Sequence, residues 1–224
     1  VSLVAFSANS LLCRMALADN YIDPLNFTIF RLLSVAVCLG FVIILHSKRL
    51  KITVSATLDS VENVEAKSNQ QITFIKDTLN DKGSWLSSLS LLVYALCFSL
   101  AYVELNTGTG ALILFATVQF TMIGWGIYKK ERLSFVQWLA LAIALTGFVY
   151  LMLPSATVPS FTSAFIMALS GIAWGVYSIR GKVCVSPLRA TGFNFIRSMV
   201  AIPFLLIISI SYFETISLQG IILA

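Results

Sequence analysis

The stretch Thr107–Arg132 reads TGTGALILFATVQFTMIGWGIYKKER. Its first 22 residues, Thr107–Tyr128, carry no charge, and Lys129, Lys130 and Arg132 follow at once. A helix needs roughly 20 apolar residues to cross a bilayer, and basic residues collect on the cytoplasmic flank. This stretch therefore predicts a transmembrane helix whose C-terminus faces the cytoplasm. In hydrocarbon, backbone N–H and C=O groups find no water, so a span satisfies them internally as a helix or within a closed barrel. The block is too long and too uniformly apolar for a barrel strand, which alternates.

The same reading extends in both directions. Apolar blocks occupy 1–18, 27–46, 86–105, 107–128, 133–153, 161–179 and 193–213, and another begins near Ser217. That gives about seven and a half spans, with the chain expected to be a fragment truncated at both ends. The average composition agrees: 58% of residues are hydrophobic, 11% are charged, and mean hydropathy is +0.90. Soluble domains carry roughly a quarter charged residues. The net charge of +5 would hint at nucleic acid in a soluble chain. Here it is explained by the loops, and no nucleic-acid partner is expected.

Twelve of the 15 Lys and Arg residues lie in alternate loops: six within 47–85, three within 129–132 and three within 180–192. The intervening loops carry none, so the three basic loops are expected to be cytoplasmic in a plasma (bacterial inner) membrane. Loop 47–85 mixes acids with lysines and reads as a flexible, polar insertion with one short helix. Cys13, Cys38, Cys97 and Cys184 form no CxxC pair, and His46 stands alone at a block end. No metal site, cofactor or catalytic cluster assembles from this inventory, so an enzyme is not expected. Glu131 reads as the start of the fifth helix, where a carboxylate favours the N-terminus.

An internal repeat emerges on shifting the chain by 166 residues. Arg14 falls on Arg180 and Arg31 on Arg197, while Phe27 falls on Phe193 and Leu39 on Leu205. Leucine matches between apolar helices mean little, but arginines within spans are rare. The unit holds five spans, an odd number, so a second copy enters the membrane inverted. The expected fold is an all-α integral membrane bundle of two inverted five-helix repeats, ten spans when complete. The first repeat covers 1–153, and 161–224 belongs to a truncated second.

Several passages resemble the EamA-like family of the drug/metabolite transporter superfamily. Asp23-Pro24-Leu25 with Phe30-Arg31-Leu32-Leu33 resembles the entrance to its second helix, and Ser186-Pro187-Leu188 with Arg197 repeats that pattern. Asn106-Thr107-Gly108-Thr109-Gly110 resembles the turn into the fourth helix. Lys130-Glu131-Arg132-Leu133-Ser134 with Gln137-Trp138 and Gly147 resembles the passage from the fourth to the fifth. Where members of that family place a proline in the fourth helix, this chain has Gln119. The resemblance implies a secondary transporter that moves small metabolites or drug-like molecules by alternating access. The competing expectation is a membrane scaffold or receptor without transport, which has no need of a repeat.

Two residue groups are candidates for function. Asn9, Tyr94, Thr117, Gln119, Thr121, Trp174 and Tyr177 are polar or amphipathic at comparable depth and are expected to line a substrate cavity. Arg14, Arg31, Glu104, Arg180 and Arg197 lie near span ends and are read as gate or charge-pair residues, the four arginines alternatively as snorkelling cations. The acids expected to face them are Asp19, Asp23 and Glu104 at one end and Glu131 at the other. The stripe Ala164, Ala168, Gly171, Gly175 and Ser178 permits close helix approach.

Overall fold

A computed structural model describes residues 2–18, 21–59, 73, 77–78, 80–131, 134–152, 160–209 and 217–223. Among these the regular elements are all helical. They are α1 (Ser2–Ala18), α2 (Pro24–Asp59), α3 (Trp85–Ala101), α4 (Thr107–Tyr128), α5 (Phe135–Met152), α6 (Phe161–Gly181), α7 (Pro187–Ser198), α8 (Ile202–Ser209) and α9 (Leu218–Leu223). Among the described residues four stretches are long and apolar enough to cross a membrane: Pro24–Arg49, Thr107–Tyr128, Phe161–Gly181 and Pro187–Ser209. Trp85–Ala101 and Phe135–Ala144 are shorter apolar helices. The chain is a helical membrane protein.

Local chemistry sets the helix ends. Asp23 accepts from the Leu25 N–H at 2.9 Å, and Pro24 opens α2 with its φ already helical. Ser84 and Ser160 cap α3 and α6, accepting from the N–H groups of Ser87 and Ser163. Asp81 accepts from the Ser186 N–H at 2.9 Å, just before Pro187 opens α7. The fifth helix opens later than expected, at Phe135. Its first turn is a capping box in which Ser134 and Gln137 each accept from the other's N–H, at 3.3 and 2.8 Å. Glu131 turns back toward α4 instead, its N–H on Gly126 O at 3.0 Å. Lys130, at φ 62°, makes that turn in the left-handed region.

Two other boundaries also differ from the sequence reading. α2 continues past the apolar block to Asp59, so the expected 47–85 insertion begins as an extension of the helix. Most of its remainder lies outside the described residues. The seventh span begins at Pro187, not Phe193, and breaks into a 3-10 turn at Met199–Ala201. Pro203 has no N–H to give Met199 O, and Ile202 N–H bonds that carbonyl instead.

The bundle is organised around α6, which packs against α3 on one side and α4 on the other. α7 lies against α2 and α3, α8 against α2, and α1 against α4 and α9. One core joins α1, α3, α4 and α6 through Cys13, Leu17, Leu91, Phe98, Leu114 and Met167. The stretches 1–153 and 161–224 thus share a single interior. The α4–α6 seam is tight: a Cβ on Gly171 would meet Thr117 Cβ at 2.7 Å, and one on Gly175 would meet Thr121 Cβ at 2.7 Å.

Candidate functional site

Asp81 accepts from the Ser186 N–H and Arg189 donates to Ser47, so these described parts of two basic loops share one end of the bundle, called here the basic end. α3 runs from that end to the opposite one, and α6 runs antiparallel beside it. Serine hydroxyls tie the two helices at both ends. At the basic end Arg180 donates to Ser84 Oγ at 3.0 Å and Ser87 Oγ at 3.1 Å. At the opposite end Ser160 and Ser163 donate to Glu104 Oε2 at 2.5 and 2.6 Å. Each helix N-terminus is therefore capped by a Ser-x-x-Ser pair, and each pair is held by a charged residue following or ending the other helix. The two hydroxyls hold the Glu104 carboxyl below its ordinary pKa, because both bonds favour the ionised form.

The arginines find partners other than the expected acids. Arg14 donates to Tyr102 O at 2.8 Å and Val103 O at 2.7 Å, capping the C-terminus of α3. Arg31 lies one to two turns into the membrane stretch of α2 and donates to Asn9 Oδ1 at 2.9 Å. Its guanidinium stands over Phe98 at 5.2 Å, and its second terminal nitrogen is enclosed without a hydrogen-bond partner. Arg197 stands over Trp85 at 5.4 Å, also with one enclosed nitrogen unpartnered. Among the described residues none of these four arginines holds a carboxylate. Asp19 lies outside the described residues.

Helix geometry explains why each arginine reaches where it does. Cα–Cβ bonds tilt toward the helix N-terminus. α2 starts at the opposite end, so Arg31 leans that way, onto Phe98 in the second half of α3. α7 starts at the basic end, so Arg197 leans that way, onto Trp85 at the first residue of α3. The residues paired by the 166-residue shift thus grip α3 at its two ends: Arg14 and Arg31 at one, Arg180 and Arg197 at the other. A second pair repeats this. Thr28 donates to Ser99 Oγ at 2.9 Å, and Asn194, 166 residues later, accepts from Ser88 Oγ at 3.3 Å.

Arg31 belongs to a larger cluster in the interior. The Tyr94 hydroxyl lies beside both Arg31 and Asn9. The Tyr94 ring meets Trp174 at 4.7 Å, and Trp174 meets Tyr177 at 5.5 Å. Tyr94 also meets Phe98 at 5.4 Å, and Phe98 meets Tyr102 edge-on at 4.7 Å. Five rings therefore form a continuous ladder along α3 and α6, with one guanidinium on its flank. The Tyr177 hydroxyl donates to Thr191 Oγ1 at 2.9 Å and joins the ladder to α7.

The structure thus brings together four of the seven expected cavity residues, Asn9, Tyr94, Trp174 and Tyr177, and adds Arg31 and Phe98. Thr117, Gln119 and Thr121 do not join them. Thr117 and Thr121 lie in the α4–α6 seam, with hydroxyls bonded to Ile113 O and Thr117 O of their own helix at 2.7 Å each. Gln119 is exposed on another face of α4. A second feature lies at the basic end, where a cavity of about 480 Å³ opens over the start of α3. Asp77, Asp81, Ser84, Ser87 and Arg180 line it. Asp81 and the Ser-x-x-Ser pairs escape the sequence reading, although serine three residues before another at a helix start is a recognisable cap signal.

Comparison with known proteins adds one relative. The chain is similar to an uncharacterized protein of Pseudomonas aeruginosa, 37% identical over 207 residues. The match covers 92% of this chain and 62% of that protein, so the chain spans under two thirds of the relative's length. No family model matches, and no solved structure does. Across most of its length the chain thus shares ancestry with a longer bacterial protein.

Proposed function

We propose that the chain is the larger part of a secondary transporter of the EamA-like type, which moves small metabolites across the membrane by alternating access. The observation that carries this reading is the origin of the interior cluster. Asn9, Arg31 and Tyr94 come from α1, α2 and α3, and Trp174 and Tyr177 come from α6, the first helix of the second repeat. In inverted-repeat transporters, substrate binds near the midplane between the repeats. A ligand there would meet aromatic walls for an apolar or flat body and a few polar groups for orientation, as small-molecule sites commonly offer.

The inverted relation draws support from the two arginine pairs, which hold opposite ends of α3. The relative's greater length leaves room for the remaining spans of a ten-helix protein. The basic end faces the cytoplasm in this reading, in the plasma (bacterial inner) membrane, because Lys and Arg are retained on that side. Arg14, Glu104 and Arg180 brace α3 and α6 at their ends. Their bonds to hydroxyls and carbonyls can be exchanged during rocking without stranding a bare ion pair in lipid.

The test is flux. Full-length protein in liposomes is screened against a panel of radiolabelled metabolites. A transported substrate should lose at least tenfold in initial rate with Arg31→Gln and Trp174→Ala, while Gln119→Leu retains its rate at matched protein amount. Flux for no compound, or unchanged flux in both site variants, refutes the reading.

A further inference from the structure

A groove on the outside of the bundle is separate from the interior cluster. It runs between α3 and the α7–α8 segment at the basic end and has a volume of about 260 Å³. Trp85, Leu89, Leu92, Val200 and Phe204 form its walls, and Arg197 lies at its head. The 3-10 turn at Met199–Ala201 lies along one side of it. The walls are large and apolar, with Trp85 65% and Phe204 70% exposed. Arg197 has its guanidinium face on Trp85, one enclosed nitrogen without a hydrogen-bond partner, and no carboxylate among the described residues.

We propose that this groove is a binding site for an anionic phospholipid of the leaflet at the basic end, its phosphate on Arg197 and an acyl chain along Leu92, Val200 and Phe204. Charge complementarity selects the occupant. The Arg197 backbone lies ten residues into its helical stretch, but its guanidinium lines the groove beside Trp85, the first residue of α3, and so reaches back toward the leaflet surface, which supplies phosphates. The tryptophan marks the depth, since indole rings settle at the headgroup boundary. Basic pockets between helices on the cytoplasmic side take acidic headgroups in this way. Arg31 makes the contrast. It is the same residue under the 166-residue shift, but it lies against Asn9 of α1 and Phe98 of α3 in the interior cluster and does not line the groove.

Full-length protein in detergent is mixed with phosphatidylglycerol or phosphatidylcholine of identical acyl chains, and bound lipid is counted by native mass spectrometry. Wild-type protein should hold phosphatidylglycerol at about fivefold lower concentration than phosphatidylcholine, the weight of one basic residue near an anionic surface. Arg197→Lys keeps the charge and should keep part of the preference. Arg197→Gln should bind the two lipids alike, and Phe204→Ala should weaken both without changing their ratio. Equal retention by wild-type protein overturns the proposal, as does a preference that survives in Arg197→Gln. Displacement of the lipid by inorganic phosphate alone would show a free-anion site and overturn it too.

Discussion

Replacing Gly175 with alanine asks whether α4 and α6 touch as closely as described. The added Cβ would lie 2.7 Å from both Cβ and Cγ2 of Thr121. Carbon atoms pack at about 3.5–4.0 Å, so the helices must part by roughly 1 Å at that point. Neither side yields cheaply, because Thr121 Cβ is fixed to its backbone and its hydroxyl is bonded to Thr117 O. Gly171→Ala meets the same obstacle, with Thr117 Cβ at 2.7 Å and Leu114 O at 2.9 Å. Overpacking of this kind costs about 1–3 kcal/mol. At Gly124, also on α4, an added Cβ would have nothing within 4 Å. There alanine only removes backbone freedom and should stabilise by up to about 1 kcal/mol. Unfolding midpoints in mixed micelles should therefore order Gly124→Ala at or above wild type, with Gly171→Ala and Gly175→Ala below it. If Gly175→Ala is as stable as Gly124→Ala, the seam is looser than described, and Thr117 and Thr121 are free to line a cavity after all.

Other substitutions test the ends of the bundle. Arg14→Gln should destabilise by about 1–2 kcal/mol in the same assay, since charge-assisted bonds to two carbonyls are lost, and Arg14→Lys should recover part of it. The Glu104 carboxyl has a lowered pKa in the folded protein, so its contribution is present above its ordinary value of 4.5 and fades as pH falls through the folded value. Between pH 6 and pH 3.5, wild type should thus lose more thermal stability than Glu104→Gln, and parallel losses would remove the Glu104 tie. In a background without the four native cysteines, Val103→Cys should react with an impermeant thiol reagent on intact cells and Lys129→Cys should not. The reverse pattern would invert the orientation.

The spans are legible in the sequence because their signal is a length of apolar residues, which survives any detail of packing. Thr107–Tyr128 matches the expected fourth span end for end. The start of α7 is hidden because Pro187–Gly192 carries Arg189 among small and polar residues, and hydropathy sees only the apolar continuation. Asn9, Tyr94, Trp174 and Tyr177 can be grouped by depth, since rise along a helix follows from residue number. Which face points inward cannot be read for α4, whose apolar residues run all the way round. Thr117 and Gln119 lie about 200° apart on a helix and cannot both meet α6. The partners of the arginines are also beyond the reach of sequence, because carbonyls, hydroxyls and ring faces serve a guanidinium as well as carboxylates do, and only the fold says which is near. The repeat singles out Arg31 but suggests a gate, because its contact with Asn9 joins two helices that no pattern within either one connects.

Alternating access requires the Asn9–Arg31–Tyr94–Trp174 cluster to open to one side of the membrane at a time. A single cysteine at position 9, in full-length protein oriented in liposomes, measures this directly with an impermeant maleimide added outside or trapped inside. Labelling is expected from both sides over time but with rates that change in opposite directions when a transported substrate is added, while a cysteine at Val103 keeps its rate on its own side. Labelling of position 9 from one side only, at a rate that substrate leaves unchanged, would contradict it.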